Sequence, residues 1–476
     1  MKNSFKKWIT FSVIALGLFS TVMEGSMIGI ALPSIASDLF LSLPMVAWLP
    51  LISTITIVAC LLPVGNISDR LGRKNIYLIG ALIMGIGSLW SALSLDFSSL
   101  IGGRIIVGIG SAMRMATGMA MIVLIFPPNE RGKGLGANAT TVGLAAITGP
   151  ILGGILVQYG GWQSIFWIQV FASILVIILG ILMIPSEIVE KGRKVKSGKF
   201  DFIGSFASAL GFSLLILILN QNLGTGFFST VNTLMIFLIF LSFGFFVIWE
   251  LRFRDPIFDL RLFKNLQFSN IILTRLLAFS VGGSLFFLMP FYFQLVKNYE
   301  PANIGLVLFP GALGMALVSS LSGRMSDKFG IKKFVVIGIA INVVCLFLIS
   351  NFDQNTNIFF FMPILLINGC GMGLWATPNN TAAMNSVKQT SFSSVSAMLN
   401  LIRTVGMGSS LALSSAIVAS TMIANGVEPD FSRGMFSSDQ MTVFLKGFRY
   451  SFITFSIIGL IPLILSLVSR ETIRKS

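Results

Sequence analysis

Long apolar stretches recur along the whole chain, separated by short segments that carry charge, glycine and proline. A helix rises about 1.5 Å per residue, so roughly 20 apolar residues cross the ~30 Å hydrocarbon core of a bilayer. The pattern therefore predicts fourteen membrane-spanning helices. Their predicted spans are 8–32, 45–65, 76–95, 98–125, 137–159, 163–185, 202–220, 232–250, 267–296, 303–322, 334–350, 357–378, 391–420 and 449–469.

The composition agrees with this pattern. Of the 476 residues, 55% are hydrophobic and 11% are charged, and none is His. The mean hydropathy is +0.89. Soluble domains carry about 25% charged residues, so the sequence predicts an all-α membrane protein.

The positions of the basic residues predict the orientation of the chain. With the N-terminus inside, the inner loops and tails hold most of the 33 Lys and Arg residues. The outer side holds Lys297, Arg433, Lys446 and Arg449. This distribution follows the positive-inside rule, and we expect a multi-pass protein of the bacterial plasma membrane with both termini in the cytoplasm. The loops are too short to form a basic soluble face, which argues against a nucleic-acid partner.

Residues that could support other functions are few. Cys60, Cys345 and Cys370 lie in predicted helices without metal-ligand spacing, and we expect them to pack as small apolar residues. The sequence contains no phosphate-binding loop and no recognisable nucleophile–base pair,. We therefore expect no metal, no cofactor and no enzymatic activity.

Two segments repeat one pattern near the inner face. "GNISDRLGRKN" at 65–75 and "GRMSDKFGIKKF" at 323–334 share G-x-x-x-D-[RK]-x-G-[RI]-[RK]. Such a repeat on one membrane face predicts two six-helix bundles, with two further helices inserted between them. The predicted division is an N-terminal bundle at 1–185, an inner linker with the inserted pair at 186–266, and a C-terminal bundle at 267–476.

Four motifs together resemble the major facilitator superfamily, and within it the fourteen-helix drug:proton antiporters (DHA2-type). They are "VMEGSMIGIALP" in the first helix, "GNISDRLGRK" after the second, "RIIVGIGSA" in the fourth and "GLAAITGPILGG" in the fifth. The resemblance covers essentially the whole chain. It implies two bundles that rock about a central site, and a monomer that exports small amphiphilic substrates in exchange for protons across the lipid bilayer.

Two of these motifs suggest a conformational switch. The glycines of the fifth-helix motif let a neighbouring helix approach closely, and its proline frees a carbonyl and permits a bend. In the loop after the second helix, an aspartate and two arginines can form a latch at the inner face. Simple helix packing and an ordinary charged turn are the alternatives. The predicted switch residues are Gly65, Asp69, Arg70, Gly72, Arg73, Asp327, Gly143, Gly149, Pro150, Gly153 and Gly154.

Charged residues inside the predicted helices are costly, by about 2.5 kcal/mol or more near a helix centre, and are therefore candidates for function. The predicted interior holds five: Glu24, Arg104, Arg114, Arg275 and Arg403. Glu24 and Arg104 lie about 12 Å and about 9 Å from the outer ends of their helices. The resemblance places these two helices side by side, so we expect the two side chains to meet.

The resemblance implies that Glu24, with Arg104 beside it, is the proton-coupling group. Alternating exposure would change the hydration of the carboxyl and its distance from the arginine, and so let it gain and lose a proton. The alternative is a permanent salt bridge that never titrates. This chain departs from the family pattern in two places, with Glu24 where Asp is usual and Val107 where Gln is usual.

The remaining charges and a group of aromatic residues give the predicted substrate cavity: Arg114, Arg275, Phe291, Tyr292, Gln294, Trp375 and Arg403. Because the interior has an excess of positive charge, we weigh anionic, zwitterionic and neutral amphiphiles alongside cationic drugs. Arginines that snorkel or bind carbonyls are the alternative. A lipid or anionic-amphiphile translocase and a non-transporting membrane sensor are the other functions left open.

Overall fold

The structure is a computed structural model that describes residues 2–126, 131–189, 201–221, 230–253, 256–257, 260–386, 392–429 and 438–469. Most of the predicted inner linker, at 190–200, lies outside these residues. Inner and outer denote the membrane faces predicted from the loop charges.

The described residues form fourteen long helices and no strand. The bounds are α1 Lys2–Asp38, α2 Leu43–Leu71, α3 Arg73–Ala92, α4 Phe97–Ile125, α5 Arg131–Gly160, α6 Ser164–Met183, α7 Phe202–Gln221, α8 Thr230–Arg252, α9 Leu266–Phe291, α10 Pro301–Phe329, α11 Ile331–Ile349, α12 Ile358–Asn385, α13 Phe392–Ala424 and α14 Ser438–Val468. Shorter helical turns lie at Ser186–Val189 and Leu260–Lys264, and a π-helical turn at Tyr292–Val296 continues α9.

Thirteen of these helices are long and apolar enough to cross a bilayer. The apolar part of α7 that the structure describes, Phe202–Ile218, is shorter. The predicted all-α fold with fourteen helices is confirmed.

The predicted loops after the second and tenth helices were wrong in extent. The chain stays helical to Leu71 and to Phe329, and each helix ends at a single glycine. Gly72 has φ 107° and Gly330 has φ 94°, values that a residue with a side chain rarely adopts,. Hydropathy marks the part of a helix inside the bilayer, and both helices extend past that part into polar sequence.

The two glycine breaks have the same hydrogen bonds. The N–H of Gly72 donates to the carbonyl of Ser68 at 3.0 Å, and the N–H of Gly330 donates to the carbonyl of Ser326 at 3.1 Å. Each serine hydroxyl in turn donates to the carbonyl three residues earlier, at 2.8 and 3.0 Å. The sequence repeat is therefore a structural repeat.

Helix packing repeats in the same way. In the first half α1 packs on α5 and α6, α3 on α4 and α6, and α2 on α4; in the second half α9 packs on α13 and α14, α11 on α12 and α14, and α10 on α12. Two seams join the halves, α5 against α10 and α2 against α13. The inserted helices α7 and α8 pack together, and α7 covers the α2–α13 seam. The exact domain boundaries stay a prediction.

Candidate functional site

Glu24 on α1 and Arg104 on α4 form a buried salt bridge. Nη1 of Arg104 donates to Oε1 of Glu24, and the two side chains are 2% and 7% exposed, with the greater exposure on Glu24. The structure thus brings into contact two residues that were predicted to lie at similar depths in the membrane.

Arg104 is held by groups from several helices. Its Nε donates to the carbonyl of Leu49 on α2 at 3.5 Å, and its guanidinium carbon lies 5.8 Å from the centre of the Phe166 ring on α6. Its own backbone carbonyl accepts a hydrogen bond from Ser53 at 3.1 Å. Arg104 is therefore the fixed partner, and α1, which carries Glu24, is the element whose movement would change the pair.

Two further acids are buried in the protein. Asp201 is 1% exposed and Glu250 is 3% exposed, at the inner ends of α7 and α8. One oxygen of Asp201 accepts hydrogen bonds from the N–H of Gly204 and from the indole of Trp249, both at 2.8 Å. These residues flank the apolar stretches rather than interrupting them, which is why hydropathy did not mark them as interior.

Arg114 lies within the first half, completely buried. Its Nη2 donates to the carbonyl of Gly17 and, at 2.7 Å, to the hydroxyl of Ser20, while its Nη1 lies 2.8 Å from the sulfur of Met84. A backbone carbonyl thus binds the charge in place of an acid, which is the alternative weighed from the sequence. A role for Arg114 in a substrate cavity stays a prediction.

Arg275 on α9 and Arg403 on α13 come together in the second half. Nε of Arg275 donates to the carbonyl of Leu399 at 3.1 Å, its Nη1 lies 3.5 Å from Oδ1 of Asn379, and its guanidinium lies 4.9 Å from the centre of the Phe279 ring. Arg275 is 4% exposed, and Arg403 is close enough to interact with it electrostatically. The structure therefore joins two of the predicted cavity residues.

The predicted cavity aromatics pack inside the second half in this conformation. Phe291 and Tyr292 are 0% exposed and Trp375 is 1% exposed. The Tyr292 hydroxyl donates to the carbonyl of Asp353 at 2.5 Å, and the Trp375 indole donates to a side-chain amide of α11. Their contact with substrate stays a prediction.

Gln294, the last of the predicted cavity residues, is partly exposed at the outer side. Its Nε2 lies 3.4 Å from the hydroxyl of Ser34 on α1. The residue therefore bridges the two halves near their outer ends, and its contact with substrate also stays a prediction.

Two glycines of the α5 motif face α1 within the first half. A methyl group on Gly149 would lie 2.6 Å from Cβ of Ser26, and one on Gly153 would lie 3.1 Å from Cα of Met27. Ser26 and Met27 lie two and three residues after Glu24, within one turn of it on α1,. Any larger side chain here would push α1, and with it the carboxyl, away from its present position.

The other motif glycines face α10 across the seam between the halves. A methyl group on Gly154 would overlap the carbonyl oxygen of Pro301, and Gly143 lies against a side chain in the middle of α10. The contact is reciprocal, because a methyl group on Gly305 of α10 would overlap the carbonyl oxygen of Pro150. The backbones of α5 and α10 are therefore in direct contact at Gly154 and Gly305.

Polar contacts close the outer side of the same seam. Nε2 of Gln158 at the outer end of α5 donates to Glu300 at 2.8 Å, just before α10 begins. At the second seam the N–H of Leu43 donates to the carbonyl of Pro429 at 3.0 Å. The structure is therefore closed on the outer side.

The predicted inner latch can be followed in part. The side chains of Asp69, Arg70 and Asp327 lie outside the described part of the structure. A methyl group on Gly65 would meet no described atom within 4 Å, so no close approach requires glycine there in this conformation. Arg73 begins α3 directly after the glycine break. The latch stays a prediction.

Sequence reasoning missed the residues that complete these contacts. Gly305 and Asn379 carry no distinctive local pattern, since each is defined by a partner more than 100 positions away in the chain. The "PANIG" that places Gly305 one turn after Pro301 could have suggested a close helix approach,.

Comparison with known proteins identifies relatives over most of the chain. The sequence profile of the Major Facilitator Superfamily matches residues 14–411. The riboflavin transporter RibZ of Clostridioides difficile is 29% identical over 420 residues, which cover 88% of this chain and 90% of that protein. The multidrug resistance protein Stp of Mycobacterium tuberculosis is 24% identical over 90% of this chain and 78% of its own length.

A solved structure shares the fold. A bacterial homologue of the human lysosomal transporter Spinster, crystallised in an inward-facing and unoccupied conformation, matches with a TM-score of 0.70 at 16% identity. The match covers 98% of this chain and 97% of that chain.

Proposed function

Because the chain belongs to the Major Facilitator Superfamily, a family of multi-pass membrane transporters, we propose that it is a proton-coupled exporter of amphiphilic compounds. We assign it to the fourteen-helix drug:proton antiporter type, in a bacterial plasma membrane with both termini in the cytoplasm. The observation that carries the proposal is the buried Glu24–Arg104 pair, set directly against the α5 glycine motif. Multidrug exporters and a riboflavin transporter among its relatives are consistent with amphiphilic cargo.

The outer-closed structure corresponds to one end of the cycle, with Glu24 ionised and paired to Arg104. When α5 and α10 separate at the outer side, the movement reaches α1, because Gly149 and Gly153 hold α1 against α5. A proton from outside then binds Glu24 and neutralises it. Removing one partner of a buried pair is costly, by about 3–5 kcal/mol, so return to the closed state favours loss of the proton to the inside.

The cargo moves in the opposite direction. It binds from the inner side while Glu24 is paired and leaves at the outer side when the proton arrives. Coupling then requires that the carboxyl titrates during every cycle, which a permanent salt bridge would not do.

The test is substrate-induced proton flux in proteoliposomes, comparing the native chain with Glu24→Gln. Riboflavin and a lipophilic drug are tried as substrates. Asp96→Asn is the matched control, because Asp96 is an exposed acid that caps α4 and Asn caps equally well,. We expect at least a tenfold loss of coupled flux in Glu24→Gln, and native flux in Asp96→Asn. Equal coupled flux in all three proteins would defeat the proposal.

A further inference from the structure

The two arginines of the second half have no acid to neutralise them within the described residues. The structure gives Arg275 a carbonyl and a side-chain amide as partners, and the nearby charge is that of Arg403. Two like charges in a membrane interior repel each other and are costly to bury. Such an arrangement is favourable when a negative group is supplied from elsewhere.

Arg403 is the open member of the pair. Arg275 is almost fully buried, whereas Arg403 is partly exposed, and the structure gives its guanidinium no hydrogen-bond partner in the described part of the chain. A guanidinium has five N–H donors in a planar fork that fits carboxylate, sulfonate and phosphate oxygens. Arg275 is thus held in place by protein groups, and Arg403 is available to a ligand.

The pair lies at a depth and position that a cargo could reach. Arg275 is nine residues from the inner start of α9 and Arg403 eleven residues from that of α13, about 13 Å and about 16 Å along the helix axes,. One to two turns further along α13, Gly408 packs against Thr54 of α2. The arginines therefore lie in the inner half, on a helix that borders the first bundle.

An apolar surface adjoins the charges. The Phe279 ring lies under the Arg275 guanidinium and contacts the Trp375 ring at a centroid distance of 4.9 Å. An amphiphile with an anionic head and an aromatic or aliphatic body matches this arrangement of a cationic pair beside rings.

We infer that Arg275 and Arg403 form the subsite for an anionic headgroup, a sulfonate, carboxylate or phosphate, of the transported amphiphile. The inference rests on the proposed transport function and names its substrate class. The headgroup chemistry is the same whether the anion belongs to a free amphiphile or to an acidic lipid. Arg275 orients the site, and Arg403 makes the contact with the headgroup that is broken when the cargo leaves.

The test is equilibrium binding to the full chain in phosphatidylcholine nanodiscs at one fixed pH. Three probes share one ring system and differ in charge: naphthalene-1-sulfonate, 1-naphthalenemethanol and 1-naphthylmethylammonium. We expect the sulfonate to bind at least about tenfold more tightly than the alcohol, which is the usual effect of a charge-assisted hydrogen bond. We expect the ammonium to bind weakest.

Variants separate the subsite from general effects of charge. Arg403→Gln is expected to lower sulfonate affinity about tenfold and to leave the affinity for the alcohol unchanged. Arg275→Lys keeps the charge without the planar fork and loses less. Arg449→Gln removes an exposed outer arginine and should change nothing. No saturable sulfonate binding, equal affinity for sulfonate and alcohol, or equal behaviour of Arg403→Gln and Arg449→Gln would overturn the inference.

The binding experiment needs no proton gradient, so its outcome does not depend on whether the coupling proposal is correct. Glu24→Gln should keep the sulfonate preference even while it loses coupled flux. Repeating the titration in nanodiscs with phosphatidylglycerol identifies the source of the anion. If phosphatidylglycerol lowers the sulfonate affinity of the native chain but not that of Arg403→Gln, the result supports an acidic lipid as occupant. If phosphatidylglycerol leaves the affinity of the native chain unchanged, the result supports a free amphiphile.

Discussion

The two halves of the molecule have the same helix packing and differ in how they hold their buried arginines. In the first half, Arg104 is neutralised by Glu24, and Arg114 is bound by a backbone carbonyl and a hydroxyl. In the second half, Arg275 binds the carbonyl one helical turn before Arg403, and neither arginine has an acid partner in the described residues. A duplicated scaffold therefore carries two different charge arrangements, and we propose that one exchanges a proton and the other receives a negative group.

The glycine contacts of α5 connect the Glu24 helix to the second half. Gly154 and Gly305 bring α5 and α10 into backbone contact, while Gly149 and Gly153 fix α1 to the other side of α5. A movement that opens the outer seam therefore reaches the Glu24 helix directly.

Removing one arginine from each half should give unequal losses of stability. Arg104→Gln leaves Glu24 buried without its partner, and we expect the free energy of unfolding to fall by about 3–5 kcal/mol. Arg403→Gln removes a repulsion and exposes no buried acid, so we expect a change within about 0.5 kcal/mol. Thermal unfolding of both variants in the same detergent measures the difference. Equal losses would mean that the two halves treat charge alike.

Blocking the seam should reduce transport although no residue of either charge pair is substituted. A leucine at Gly305 cannot fit against the Pro150 carbonyl, so we expect Gly305→Leu to favour the outer-open state and to lower transport at least about tenfold,. Gly244→Leu is the matched control, because Gly244 is an exposed glycine of α8 and nothing lies within 4 Å of a Cβ there. Cross-linking of Gln158→Cys with Glu300→Cys reports outer closure. Normal cross-linking in the Gly305→Leu background would refute the seam as the gate.

Supplying the second half with an acid should make it resemble the first. Asn379→Asp places a carboxylate beside Arg275, and we expect sulfonate affinity to fall about tenfold because the site then has its own counter-charge,. Asn380→Asp adds the same charge at the exposed neighbouring position and should leave affinity unchanged. Identical affinities for the two variants would show that the arginines do not bind the anion.

Substituting the glycine that ends α2 or the glycine that ends α10 should destabilise the protein to a similar extent. Alanine at Gly72 or at Gly330 must combine a positive φ with an extended ψ, a conformation that glycine alone adopts readily, which costs about 1–3 kcal/mol,. We expect Gly72→Ala and Gly330→Ala to lower the melting temperature by similar amounts. A loss confined to one of the two would show that the repeated turn has different structural importance in each half.

The sequence predicted features that depend on depth and local pattern. Fourteen apolar runs gave the fold, and counting residues from the helix ends placed Glu24 level with Arg104. The Gly-Pro spacing of α5 indicated close helix approach. Each of these signals lies within one helix or follows from the thickness of a bilayer.

Features that depend on the packing of distant helices could not be predicted. Arg275 and Arg403 were both named for the cavity, but their proximity follows from how α9 packs on α13. Gly305 became visible only through its contact with Pro150. The polar ends of α2 and α10 were placed in loops because hydropathy does not distinguish a helix leaving the membrane from a loop. Tertiary contacts decide the first two.

Proton coupling as proposed requires Glu24 to be ionised in the outer-closed state and protonated in the outer-open one. Infrared difference spectroscopy between the native chain and Gly305→Leu observes this directly, with Glu24→Gln in each background assigning the carboxyl band. We predict a protonated-carboxyl band of Glu24 in Gly305→Leu that is absent from the native chain. The same band in both proteins, or in neither, would contradict the account.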